Sequence, residues 1–392
     1  MAAQASRGVM RCLSVTDSHC HVKLAASLPG DTSVGEVANP PPFTCHIARA
    51  VMCGTHPDVD WDIVEAAAAQ ASRVRVPPAL SVTAEPTVPP VVIPGFGIHP
   101  WFVPHDSGSA AGNGAAVGPV KGRNERERSA EELLSLLEAA LQHHPEAIVG
   151  EIGLDKLRGP PEAVQLPIFV AQLRLAAKYG RPASLHCVRS FGKVLKALQD
   201  LPAEDTPPAI VLHGFTGSVD FARSAMMIRK RRSALKGGGS RSGTKTEPLR
   251  IFFGVGAVTS LRVKDFAEKT LPFLLREGRM LLETDAHHTL HLPPQGDGGA
   301  GAVHASALGS GGDGGNGLTE MTATHTTATE CALAWDEGSC EQLAHLMTRV
   351  SACQGDDADI SIVEELLAKC EEAFADAFLL SAPTPAAATQ AE

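Results

Sequence analysis

Short apolar runs recur along the chain near 12–16, 46–53, 91–98, 147–152, 182–187, 209–213, 250–257 and 279–284. Several are rich in Val and Ile, as in Ala209-Ile210-Val211-Leu212, and none alternates cleanly with polar residues. Runs of that kind fit strands buried on both faces, as in a parallel sheet. Helical patterns lie between them. Val59 to Arg73 carries Ile63, Val64 and Ala67 on one helical face. Ser129 to His143 carries Leu133, Leu134, Leu137 and Leu141, and Ser129 with Glu132 has the form of a capping box, which predicts where that helix begins. Ala163 to Tyr179 runs into Gly180, a residue suited to a C-cap. Two further helices are predicted near 338–353 and 360–380.

Eight strand–helix units are what a (β/α)8 TIM barrel needs, and such a barrel takes about 250 residues. The chain has 392. The surplus falls in segments with the composition of loop insertions: 73–90 (Pro-rich), 104–128 (Gly/Ser, then charged), 229–249 (basic and Gly-rich) and 287–330 (Gly, Thr and His-rich). The reading is therefore a short N-terminal extension over 1–11, one barrel domain over 12–380, and an Ala/Pro/Thr-rich tail over 381–392 expected to be disordered.

Composition narrows the function. No stretch approaches the roughly 18 uninterrupted apolar residues of a membrane span, so no membrane-spanning role is expected. A net charge of −10 excludes nucleic-acid binding by bulk basicity, so any polyanion must be met by a local patch or by bound metal. The nine cysteines are odd in number and contain no C-x-x-C, which argues against a disulfide framework or a zinc finger. Met1 to Arg11 lacks an apolar core, so no secretory signal is read and a cytoplasmic or nuclear location is expected.

The chemistry-bearing residues gather at the ends of predicted strands. Asp17-Ser-His-Cys-His21 follows the first strand and Gly97-Ile-His-Pro-Trp101 the third; Gly150-Glu-Ile-Gly-Leu-Asp155 closes the fourth. His186 ends the fifth, His213 the sixth, and Glu283-Thr-Asp285 the eighth. In a parallel barrel these ends share one rim, where such folds place their active sites. His19 and His21, two apart on an extended segment, face the same side. Four histidines, one glutamate and one aspartate exceed what one tetrahedral ion with an open position needs; they suit two ions roughly 3.5–4 Å apart, with Glu151 as the bridging carboxylate. Taken singly, His99, His186 and His213 are each equally readable as structural histidines. Cys20 reads as barrel wall, Trp61 and Trp101 as packing residues, and His287, His288 and His291 as low-complexity sequence with no more than adventitious metal affinity.

In their order and content, Asp17-Ser-His-Cys-His21, Gly97-Ile-His-Pro100, Val149-Gly-Glu-Ile-Gly-Leu-Asp155, Ser184-Leu-His-Cys187 and Leu282-Glu-Thr-Asp285 resemble the motifs of the TatD family of metal-dependent deoxyribonucleases. The run Arg181 to Gly192 is similar to a eukaryotic branch of that family, and Gln165, Phe169 and Gln172 fall on the family's helix after the glutamate motif. The resemblance implies a barrel hydrolase with two divalent ions (Mg, Mn or Zn) that cleaves phosphodiester bonds of DNA, single-stranded or from an end. His19, His21, Glu151 and Asp285 would hold one ion; Glu151, His186 and His213 the other. Asp285 would take the proton of a water bridging the ions, and His99 would donate to the leaving oxygen. Glu283 matches a position near the site without being a ligand. The family continues Asp-Ala-Pro where this chain has Asp285-Ala-His-His288. A small-molecule amidohydrolase or phosphotriesterase on the same fold is the alternative, disfavoured because Glu151 stands where those enzymes often carry a modified lysine. A non-catalytic interaction protein is a third reading. Arg229, Lys230, Arg231 and Arg232, in the basic insertion, are candidate phosphate contacts, although that insertion is expected on the far side of the barrel. The sequence gives no oligomeric state.

Overall fold

The computed structural model describes residues 11–25, 43–72, 90–105, 128–230, 247–291, 332–352 and 360–378. Most of each predicted insertion, and the whole of 381–392, lies outside the described residues. Eight strands run in parallel in the order of the chain: β1 (Arg11–Leu24), β2 (Phe43–Cys53), β3 (Val91–Phe96), β4 (Ile148–Asp155), β5 (Ala183–Val188), β6 (Ala209–Leu212), β7 (Arg250–Gly256) and β8 (Met280–Glu283). Each pairs with the next, as in Ala209↔Arg250 between β6 and β7 and Gly256↔Glu283 between β7 and β8.

The barrel closes just past β8. Asp285 N donates to His19 O at 3.0 Å and His21 N to Ala286 O at 2.8 Å. The chain then continues as β9 (His287–His291), parallel to β1 from His21↔His287 to Leu24↔Leu290, with β10 (Ala332–Ala334) antiparallel outside it. This corrects the reading of 287–330 as an insertion throughout. Its first residues are a strand with alternate sides buried, His288 and Leu290 inward, and the undescribed stretch begins only at 292.

Helices flank the strands: α1 (Trp61–Ser72), α2 (Ala130–His143), α3 (Glu162–Lys178), α4 (Phe191–Asp200), α5 (Val219–Met226), α6 (Leu271–Arg276), α7 (Glu337–Ala352) and α8 (Ile360–Phe378). α2 starts on the capping box, with Ser129 Oγ accepting from Glu132 N and Glu132 accepting from Ser129 N. α3 ends at Gly180, whose φ of 63° is the left-handed conformation that lets Arg181 N reach back to Ala176 O at 2.8 Å. The barrel interior is filled at one end by Val51, Ile93, Ile148, Ala209, Val211, Phe252 and Leu281, against which α8 sets Phe374 and Phe378. That apolar plug occupies the N-terminal ends of the strands and leaves the other mouth for polar groups. No helix among the described residues is long and apolar enough to cross a membrane.

Candidate metal centre

Six side chains converge at the C-terminal rim, and Glu151 is at their middle. β4 brings it there fully enclosed by strands. Close approach is made possible by glycine: a Cβ at Gly153, where φ is 148°, would lie 2.0 Å from His186 O, and one at Gly97 would lie 2.6 Å from Glu151 O. Glu151 Oε2 faces His19 Nε2 at 3.6 Å and His21 Nε2 at 3.4 Å. Asp285 Oδ1 closes that group, 4.0 Å from His19 Nε2 and 3.6 Å from His21 Nε2, and the two imidazole nitrogens are 3.3 Å apart. Donors bound about 2.0–2.2 Å from one tetrahedral ion stand roughly 3.3–3.6 Å from each other, so this quartet has nearly the spacing of a ligand set.

The other oxygen of the same carboxylate serves a second group. Glu151 Oε1 lies 2.7 Å from His186 Nδ1, 2.6 Å from His213 Nε2 and 3.3 Å from His99 Nε2. His186 Nδ1 and His213 Nε2 are 3.4 Å apart. One buried carboxylate thus offers one oxygen to each cluster. Imidazoles mixed with carboxylates are a donor set suited to zinc, manganese and similar divalent ions.

Hydrogen bonds behind the rings fix which nitrogen faces the centre. His21 Nδ1 donates to Cys53 O at 2.9 Å, so that once the ring is neutral Nε2 is the lone-pair donor. His99 is the opposite case. Its Nδ1 accepts from Trp101 N at 3.2 Å, so in the neutral ring Nε2 carries the proton and points at Glu151. His186 directs Nε2 to Asp155 Oδ2 at 3.2 Å, the carboxylate–imidazole arrangement that orients a ligand ring and raises its basicity. Asp155 is itself held by Trp101 Nε1–H at 2.6 Å and by the backbone N–H of Leu157 and Arg158.

Charge follows from these partners. Burial acts against ionisation of Glu151, but the positive potential of His99 and His213 and hydrogen bonds from His186 and His19 hold it well below the usual carboxylate range. Burial would likewise lower His21 and His186, yet their carboxylate partners lift both to about 9. His19, enclosed and next to His213, is pushed down to about 4. Asp285 is held well below its ordinary value; the hydrogen bond from His21 and the nearby imidazoles outweigh the burial that would raise it. Its side chain remains 34% exposed, the open face of the centre. Glu283 is driven well up by burial beside Asp285. Its Oε1 accepts from Gly214 N at 2.6 Å, pinning the turn that follows His213, and it fits because residue 254 is glycine: a Cβ there would lie 1.9 Å from Oε2.

All six proposed ligands therefore meet, His99 lies against them, and Glu283 supports His213 from behind. Arg229 and Lys230 do not join them. They form a stem before β7, with Lys230 N bonded to Glu247 O at 3.0 Å, at the opposite end of the barrel; Arg231 and Arg232 lie outside the described residues. Sequence reasoning missed Asp155 and Asp17. Asp17 accepts from His19 N, Thr284 N and Thr284 Oγ1, tying β1 to the end of β8 and so setting His19 against Asp285. Full burial lifts its carboxyl to about 7. Both aspartates sit inside the strand-end motifs, which was the available signal.

His287 and His288 are also corrected from low-complexity sequence to ordered structure. His287 stacks on His21 with ring centroids 4.9 Å apart. His288 is fully buried and its Nδ1 accepts from Asp336 N at 3.0 Å. Asp17, Cys20 and His288 bring ligand-type atoms within 4.8 Å of one another. However, the Asp336 bond uses the His288 Nδ1 lone pair and leaves the proton on Nε2, and Asp17 already has three donors, so neither offers this trio a free lone pair in the neutral ring. Cys20 is buried with Sγ directed to Val51 O, in line with a wall position.

The family model agrees with the motifs. A family model described as TatD related DNase matches residues 16–289. Among curated relatives, Cut9-interacting protein scn1 of Schizosaccharomyces pombe is 26% identical over 283 residues, 53% of this chain and 72% of that protein. The 3'-5' ssDNA/RNA exonuclease TatD of Edwardsiella piscicida is 38% identical over 179 residues, 45% of this chain but only 58% of the relative. The solved structure of YJJV, a TATD homolog from Escherichia coli K12, aligns with a TM-score of 0.48 at 18% identity, covering 86% of this chain and 88% of that one.

Proposed function

The chain belongs to the TatD-related DNase family, and from that premise we propose that it is a metal-dependent hydrolase of phosphodiester bonds, an exonuclease acting on single-stranded DNA. The observation that carries the reading is Glu151, whose two oxygens each face a different pair of imidazoles, the pairs adjoining where His19 stacks on His213. The residues fit two divalent ions: His19, His21, Glu151 and Asp285 would hold one, and Glu151, His186 and His213 the other. Ions in those places supply neutralisation of the phosphoryl oxygens and acidify a water near neutral pH. The relatives named as 3'-5' ssDNA/RNA exonucleases support a nucleic-acid substrate and a single strand.

The chain's own groups complete the chemistry. Asp285 is ionised, partly open to solvent and fixed by β1, so it can take the proton of the attacking water. His99 presents Nε2–H and can stabilise the charge developing on the leaving oxygen by a hydrogen bond. Glu151 stays ionised despite burial, holding the imidazoles in place. The test is a screen of the metal-free and Mn-, Mg- or Zn-loaded protein on single-stranded DNA, RNA, small phosphodiesters, amides and phosphotriesters. Phosphodiester cleavage that a chelator abolishes is expected. Turnover of amides or phosphotriesters alone would move the assignment to the other hydrolases of this fold, and no metal-dependent turnover of any of them would remove the enzyme reading.

A further inference from the structure

Trp101, expected from sequence to be a packing residue, is half-buried at the rim and carries an exposed arginine on its face, with Arg158 Cζ 4.8 Å from the ring centroid. Cation–π pairs are common on protein surfaces, occurring about once per 70–80 residues, so the contact alone means little. What distinguishes this one is how it is held. The indole Nε1–H is bonded to Asp155 Oδ2, the same oxygen that orients His186. Arg158 has its backbone N–H on Asp155 Oδ1 and its carbonyl on Gln165 Nε2 at 3.3 Å. Gly159, with φ of 76°, presses the loop onto residue 101: a Cβ there would lie 2.9 Å from Trp101 Cα. A flexible cation is thus mounted on a backbone fixed at both its polar groups, directly over an indole fixed at its edge. The pair adjoins the centre, since the Trp101 ring meets those of His99 and His186 edge-on at 4.7 and 6.0 Å.

In a molecule of net charge −10, a cation placed beside a site for a phosphodiester is a local exception. An aromatic ring and a guanidinium plane are also the two surfaces on which unpaired bases stack. We propose that Trp101 and Arg158 form a stacking subsite for a nucleobase of the single strand being cut, the guanidinium lying between the indole and the base. This rests on the nuclease reading above and adds to it how the strand is gripped: by a base, in any sequence, next to the reacting phosphate.

The experiment is binding of fluorescently labelled, uncleavable phosphorothioate strands to the metal-loaded protein by anisotropy, comparing a base-bearing strand with an abasic strand of equal length. The wild type should prefer the base-bearing strand by about tenfold. Arg158→Ala and Trp101→Ala should bring the ratio towards one, while Trp101→Phe, which keeps a ring but loses the bond to Asp155, should keep most of it. Arg158→Ala removes only an exposed side chain and leaves both backbone bonds, so it reports even if Trp101→Ala does not fold. An unchanged preference in Arg158→Ala and a folded Trp101→Ala overturns the subsite. Equal binding of both strands by the wild type overturns it as well and leaves the nuclease reading standing; binding of neither strand removes both.

Discussion

A single carboxylate organises the chemistry at the residue scale. Glu151→Ala should lower turnover by orders of magnitude while the barrel still folds, because no second carboxylate among the described residues reaches both clusters; Asp285→Ala should do the same. Steady-state kinetics with far-ultraviolet circular dichroism as the folding control checks both. Asp155→Asn acts through His186 and should weaken metal binding about 10- to 100-fold, read by competition with a chromophoric chelator. The raised His21 and His186 values, each about 9 against an ordinary 6.5, set a pH dependence. A group whose native pKa is raised stabilises the fold fully below its unfolded value and loses that contribution as pH climbs through the native one. The metal-free protein should therefore melt at falling temperatures between pH 6.5 and 9. The added stability from bound metal should grow over the same window, since both rings must shed a proton to become ligands. Thermal melts with and without ions would show it; a flat metal-free profile would contradict the assigned partners. His19, His21, Glu151, His186, His213 and Asp285 were legible in the sequence because each sits at the end of an apolar run. Asp155 and Asp17 were not, because their work is done on partners distant in sequence: His186, and Thr284 just past the last barrel strand.

At the element scale, a strand's role depends on what it pairs with. The eight barrel strands were readable as apolar runs since the part of each that lines the barrel is buried on both faces. β9 was not, because His-His-Thr-Leu-His becomes a strand only by pairing with β1, and only then is its alternation of His288 and Leu290 inward visible. α5 and α6 span about two turns each, too short for a 3.6-residue period to stand out. The basic insertion is pinched at its base by Leu249 N→Ile228 O at 2.9 Å and Lys230 N→Glu247 O at 3.0 Å, before β7 and away from the centre. Replacing 231–246 with a short turn should therefore leave turnover at saturating substrate unchanged. Neutralising Arg229, Lys230, Arg231 and Arg232 decides whether that insertion holds phosphates. If about three contacts are lost, the slope of log affinity against log salt on a single strand should flatten by roughly 2.

For the whole molecule, the two ends of the barrel divide the labour. α8 seals the N-terminal mouth with Phe374 and Phe378 and is tied to the strands by Arg49–Glu371 at 2.6 Å and Arg11–Glu364 at 2.6 Å. Phe374→Ala should cost about 3–5 kcal/mol in urea denaturation without altering metal stoichiometry, because the cavity opens at the end remote from the ligands. With that end filled by apolar side chains, the open mouth is left to hold charged groups in fixed positions. The most direct test of the account is the number of divalent ions bound per chain, measured by elemental analysis after dialysis, in the native protein and in Glu151→Gln. The account predicts close to two ions in the native protein and a loss of at least one in the variant; no more than one ion in the native protein, or two retained without the Glu151 carboxylate, would contradict it.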